Sequence, residues 1–284
     1  MKQFSLKKIV ISLAMMVLVM GTFVACGGNN PSGTYAIRVV TAGGMALEDV
    51  KIRVYTDETK SDLVAMETTD KSGLVSFESQ GSVGDVIYLE NVPTGYVVKE
   101  YYEIKSQDTQ IVLEAQLLSE EEMDGVVFRL GDVFADMSVT APDGTVYKIS
   151  EILKEKKAVV LNFWYLNCAP CKIEFPYLQE AYTKYQDKIE VLAINPVDGT
   201  DAKITSFQSE NNYTFPMMVG SGVWTEHINM SSFPTTLVID RYGTVVYMHQ
   251  GMFESAADFE TLFEFFTADD YTQKTIRNLS ELKK

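Results

Sequence analysis

Residues 156–178, KKAVVLNFWYLNCAPCKIEFPYL, constrain the fold more than any other stretch of this chain. The unbroken apolar run AVVLNF reads as a strand buried on both faces, which requires helices on either side of its sheet. A short turn, WYLN, follows, and then Phe175, Leu178, Tyr182 and Tyr185 fall at helical spacing. Cys168 and Cys171 therefore open a helix that leaves a central strand. Pro170 suits the first turn, where its missing N–H costs nothing, and Pro176 is expected to kink the helix further on.

Two cysteines so placed have three possible uses. A zinc site or iron–sulfur cluster needs four ligands, and the remainder of this half offers His227 and His249, each alone; no metal is expected. A structural staple gains little, because the stabilisation from a disulfide falls as its loop shortens. A redox pair fits the local chemistry. Free N–H groups and the dipole at the helix N-terminus stabilise a Cys168 thiolate. Cys171, one turn in and more covered, can resolve a mixed disulfide formed by Cys168. On this reading the turn exposes Cys168, and no organic cofactor is required.

Around this segment strands and helices alternate. APDGTVYKI holds a hairpin turn at Asp143 and Gly144. EVLAIN is a second buried strand and DAKITSFQSEN a helix. TFPMMV, TTLVID and TVVYMHQG are strands, the last two joined at RYG, and Ser255 caps an amphipathic helix through Phe266. The order describes an α/β domain over residues 126–267, with 268–284 left as a polar tail, at most a loose helix.

The segment NFWYLNCAPCKIEFPYL resembles the active-site region of thioredoxin-fold proteins of the TlpA/ResA type, which are membrane-tethered thiol–disulfide oxidoreductases. The likeness extends through most of residues 126–267, including SSFPTTLVID and the DRYGTVV hairpin. It implies a central mixed sheet flanked by helices and a redox disulfide between Cys168 and Cys171. It also implies a cis Pro234 against that pair, with Phe233 presenting backbone to a bound peptide. Ala169 and Pro170 tune the reduction potential and border the client. Trp164 is a further candidate client contact, although packing beneath the turn is its more ordinary role. Glu174 matches a glutamate that sets thiol pKa and proton transfer, the alternative being a solvated helix residue. Asn162 stands where thioredoxin has a buried Asp. Ala169 and Ala135 depart from residues common in the family, and His227 is either a groove residue or, more simply, a surface one.

The resemblance implies reduction of disulfides in client proteins, as in preparing cytochrome c thiols for haem attachment. It also implies recharging by a membrane-embedded, CcdA-like thiol carrier. Oxidation of clients stays open as the reverse direction. A thiol peroxidase of the peroxiredoxin type shares the fold. Its reactive cysteine, however, has a Thr or Ser and an Arg nearby and no cysteine two residues on, and no such Arg stands near Cys168.

The N-terminal part points to where such an enzyme works. MKQFSLKK carries three lysines and no acid, and IVISLAMMVLVMG follows as an apolar run. FVACGGNN resembles a bacterial lipobox, so residues 1–25 are read as a lipoprotein signal peptide and Cys26 as the lipidated residue, with Phe23 where Leu is more usual. The expected location is the extracytoplasmic face of the cell membrane, held by a lipid anchor. Residues 26–33, CGGNNPSG, form a flexible tether. About seven short strands between 34 and 118 predict a small all-β sandwich, with Val50, Ile52 and Val54 facing inward. Its DKSGLVSF and NVPTGYVVKE stretches resemble prealbumin-like, carboxypeptidase-regulatory-like modules, which suggests a spacer. The competing view is a surface-binding lipoprotein whose sandwich does the work. SEEEMDG, 119–125, reads as an acidic linker, and a net charge of -15 argues against nucleic-acid partners.

Overall fold

Alternation of apolar and polar side chains sets two sheets face to face in the first half of the molecule. A computed structural model describes residues 34–78, 83–220 and 226–283; the expected signal peptide, Cys26 and tether lie outside the described residues. The strands are β1 (Thr34–Thr41), β2 (Lys51–Tyr55), β3 (Leu63–Thr68), β4 (Leu74–Glu78), β5 (Val86–Glu90), β6 (Tyr96–Val97), β7 (Tyr102–Glu103) and β8 (Asp108–Ala115). They form two four-stranded sheets, β4-β1-β8-β6 and β3-β2-β5-β7. Val50, Ile52 and Val54 are buried between them, while Lys51 and Arg53 pair with Glu90 on the outside. The stretch YVVKEYYEI, apolar enough for one strand, is split in two. Tyr96–Val97 pairs with β8 and Tyr102–Glu103 with β5, in the opposite sheet. A chain that changes sheets cannot keep one ladder, and the crossing falls at the exposed Lys99 and Glu100.

The second half is built around five strands. In order come the hairpin β9 (Ser138–Thr140) and β10 (Val146–Lys148), α1 (Ile149–Glu155), β11 (Ala158–Phe163), α2 (Ala169–Tyr185) and β12 (Ile189–Asn195). They are followed by α3 (Asp201–Asn211), β13 (Met217–Val219), β14 (Thr235–Asp240), β15 (Val245–Gln250) and α4 (Ala256–Thr267). The main sheet has the order β13-β12-β11-β14-β15. β11, β12 and β13 run parallel, whereas β14 and β15 pair antiparallel. β11 lies at the centre with every residue buried, as its continuous apolar run requires. Its alternate side chains feed two core clusters, one beneath α2 and α4 and the other against α1 and the hairpin. This is the thioredoxin-like α/β arrangement. No helix among the described residues is long and apolar enough to cross a membrane.

The last residues are not a loose tail. Tyr271, Gln273 and Ile276 are buried. The Ile276 N–H bonds to the Val246 carbonyl at 2.8 Å, extending the edge of the sheet. Gln273 joins the two halves: its amide donates to Thr244 Oγ1 at 2.9 Å and its side-chain oxygen accepts from the Thr41 hydroxyl of β1. Gly43 permits this approach, because a Cβ there would lie 2.5 Å from Gln273 Oε1. Beside it the Thr94 N–H donates to Asp132 at 2.9 Å and Tyr96 Oη lies 3.2 Å from Thr244 Oγ1. Val133 sits in the core of the sandwich. The acidic stretch is likewise anchored, with Met123 buried in the second core. Composition misleads here because a mostly polar segment needs few inward side chains to dock.

Candidate active site

The turn before α2 is held at its two ends by backbone bonds. The Trp164 N–H continues the β11–β12 ladder to Ile194, and the Cys168 N–H closes the turn on the Tyr165 carbonyl, both at 3.0 Å. Cys168 is the N-cap of α2, and its sulfur accepts the Cys171 N–H at 3.2 Å. A helix terminus that donates to a sulfur favours its ionised form. Cys168 and Cys171 are joined as a disulfide with Cα atoms 5.3 Å apart. α2 continues through Pro176 to Tyr185.

The expectation of an exposed Cys168 is corrected in this oxidised state: Cys168 is 1% and Cys171 0% exposed. Both belong to an apolar cluster against which Tyr165, Leu166 and Phe233 pack. Ala169, Pro170 and Ile173 are exposed beside them, so the surface around the bond is open although the sulfurs are covered.

The second motif meets the first through the sheet. Phe163 at the end of β11 pairs with Thr235 at the start of β14, which brings the cis Phe233–Pro234 peptide beside the turn. The rings of Tyr165 and Phe233 meet edge to face at 5.2 Å, and the Pro234 carbonyl accepts the Gly251 N–H at 2.8 Å. Trp164 does not join this surface. It is fully buried, stacked on Phe207 at 5.0 Å and edge-on to Phe175 at 5.1 Å, so packing beneath the turn replaces the expected client contact.

Glu174 is fully buried and therefore not a solvated helix residue. It lies one turn beyond Cys171 on the inward face of α2. One carboxylate oxygen accepts from Asn162 Nδ2 at 2.8 Å and the other from the Phe253 N–H at 2.7 Å. Burial pushes its pKa up to about 7, against the pull of those two bonds. Asn162 Nδ2 also reaches Thr236 Oγ1 at 3.1 Å, while its Oδ1 is buried with no partner. A half-turn of the amide would offer that oxygen to a protonated Glu174.

His227 lies elsewhere, its Nδ1 2.7 Å from the Val126 carbonyl and its ring near Phe128. His249 was set aside with the metal reading, yet its ring lies 4.9 Å from Phe253, whose N–H holds Glu174. Burial lowers its pKa. Asn195 and Asp198 belong to no functional motif named above, although Asp198 accepts the Leu166 N–H at 2.8 Å within the turn. The density of turn formers in NPVDG was the available signal.

Comparison with known proteins adds to this geometry. Residues 130–248 match the model of the AhpC/TSA family. Thiol-disulfide oxidoreductase ResA of Oceanobacillus iheyensis is 31% identical over 141 residues, which make up 48% of this chain and 72% of that protein. ResA of Bacillus thuringiensis is 31% identical over 122 residues, 42% of this chain and 68% of that one. Among solved structures, the exposed lipoprotein thioredoxin Etrx1 of Streptococcus pneumoniae is 29% identical. That match covers 46% of this chain and 99% of the other with a TM-score of 0.40.

Proposed function

The chain belongs to the ResA family of thiol-disulfide oxidoreductases, and from that premise we propose that it is a lipid-anchored, extracytoplasmic enzyme that reduces disulfides in client proteins. The observation that carries this reading is the Cys171 N–H aimed at Cys168 Sγ within a bonded pair at the start of α2. In the reduced state the Cys168 thiolate attacks a client disulfide. A bond forms between Cys168 and one client sulfur, and the other client sulfur leaves as a thiolate and takes up a proton. Cys171, once deprotonated, attacks Cys168 and displaces the remaining client sulfur. Two electrons have then passed to the client, and the enzyme holds the Cys168–Cys171 bond.

Glu174 is the group suited to receive the Cys171 proton, because its pKa of about 7 lets it exist in both forms near neutrality. Phe233, Pro234, Ala169 and Pro170 border the client. Recharging falls to a dithiol donor, for which a membrane-embedded CcdA-like carrier is the natural class. The sandwich serves as a spacer, and Cys26 carries the lipid.

The test begins with the full chain, reduced, and an insulin-type disulfide substrate. Wild type should reduce it and Cys168→Ser should not. A potential near that of strong oxidants, about -120 mV, would reverse the assigned direction. The AhpC/TSA match gives a second reading, thiol peroxidase, a reason to be tested. Cys171→Ser that consumes one equivalent of peroxide rapidly at Cys168 would favour it. For the anchor, Cys26→Ala should move the protein from the detergent phase to the aqueous phase.

A further inference from the structure

The loop after β12, residues 196–199, is wound around one buried side chain. Asn195 is fully buried, and its Oδ1 accepts the N–H groups of Val197, Asp198 and Gly199, each at 3.1 Å. Its Nδ2 donates to Asp198 Oδ1 at 3.1 Å. Gly199 makes the tight winding possible, since a Cβ there would lie 3.0 Å from Asn195 Cγ and 2.9 Å from Ile204 Cδ1. The loop thereby presents Asp198 to the redox turn. Asp198 Oδ1 accepts the Leu166 N–H at 2.8 Å, and Oδ2 lies 3.4 Å from Asn167 Nδ2. Leu166 and Asn167 are the two residues that immediately precede Cys168.

We propose that Asp198 is a positioning residue for thiol exchange, a hook that ties the redox turn to β12 and keeps Cys168 Sγ facing the Cys171 N–H. It touches neither sulfur and acts through the Leu166 backbone. The bond fixes the Leu166 N–H, two residues before Cys168, at 2.8 Å from an acceptor that is itself held by Asn195. Releasing it frees the turn that holds the N-cap sulfur in line with its donor. The thiolate then loses part of its stabilisation, and the thiol pKa of Cys168 rises. This inference rests on the oxidoreductase reading and names a residue which that reading does not use.

The experiment measures iodoacetamide alkylation of reduced, full-length protein against pH, with the labelled cysteine identified by mass spectrometry. Dithiol exchange is followed in parallel. Asp198→Ala is expected to raise the Cys168 alkylation pKa by about one and to slow labelling at neutral pH about tenfold, the scale of one lost hydrogen bond. Asp198→Asn should stay near wild type, because its amide oxygen can still accept the Leu166 N–H. Asp198→Glu keeps the charge but shifts it by a methylene, and should resemble Asp198→Ala. An alanine variant that titrates like wild type overturns the hook. So does an asparagine variant as impaired as alanine, which would make charge the agent instead. If wild type fails to exchange with dithiols, the oxidoreductase reading falls and this inference with it. If wild type exchanges and Asp198→Ala does so equally fast, the hook alone falls.

Discussion

At opposite ends of β14 the molecule buries two carboxylates, Glu174 next to the disulfide and Asp240 beneath the sandwich. Burial raises both, to about 7 and about 6 respectively. Their partners differ. Asp240 accepts the N–H groups of Tyr242 and Thr244 at 3.0 and 3.1 Å and the Tyr271 hydroxyl at 2.9 Å, all from its own turn and the C-terminal segment. Glu174 has two donors, and one of them is an amide able to rotate. A displaced pKa by itself thus does not tell the two apart. What stands beside it decides: a hairpin turn in one case, a sulfur pair one helical turn away in the other.

The widest effects should appear in stability against pH. Both groups bind a proton more tightly folded than unfolded. Each therefore favours the native state fully at low pH and progressively less as pH climbs through its raised value. For Asp240 the decline spans about pH 4 to 6, and for Glu174 about 4.5 to 7; each is worth about 3 kcal/mol. Denaturant titrations across pH should show Glu174→Gln abolishing the upper part of the fall and Asp240→Asn the lower. If both substitutions leave the profile as it was, burial does not govern these groups.

Next in size is the effect on exchange. Glu174→Gln should slow resolution by Cys171 about a hundredfold, the lower range of acid–base contributions, and remove the ionisation near pH 7 from the rate profile. Asp240→Asn should leave exchange untouched. Equal losses in the two would erase the distinction drawn above. Tyr271→Phe comes third: it leaves Asp240 short of one donor and should cost about 1–3 kcal/mol in unfolding free energy with exchange unchanged. The smallest effect is expected at the cover. Phe233→Ala removes the ring that meets Tyr165 at 5.2 Å and should make the oxidised pair a few-fold quicker to reduce by a small dithiol, read in stopped flow.

Much of the site was legible because its residues carry strong local signals. The Cys168–Cys171 spacing, the buried run before it and Pro234 each announce themselves in short segments. Alternation was as plain in Val50, Ile52 and Val54, all buried. The burial of Glu174 was readable in part, since Cys171, Phe175 and Leu178 share its helical face. Other features depend on contacts between distant segments. Nothing local in YVVKEYYEI says that its ends belong to different sheets. Trp164 sits at the mouth of the turn in sequence yet faces Phe207, forty-three residues on, in the core. The docking of Gln273 against Thr41 spans 232 positions, beyond any periodicity argument. The cover over Cys168 is a tertiary effect too, supplied partly by Phe233.

The seam at Gln273 carries one last implication. β1 begins at Thr34 and reaches that seam at Thr41, while β14 begins at Thr235, paired with Phe163 of the strand that leads to the sulfurs, and ends at Asp240. At about 3.3 Å per residue the two strands are roughly 25 and 20 Å long, and buried polar bonds close the seam where they approach. The two halves are therefore not independent: opening the seam would strip buried polar groups of both of their partners at once.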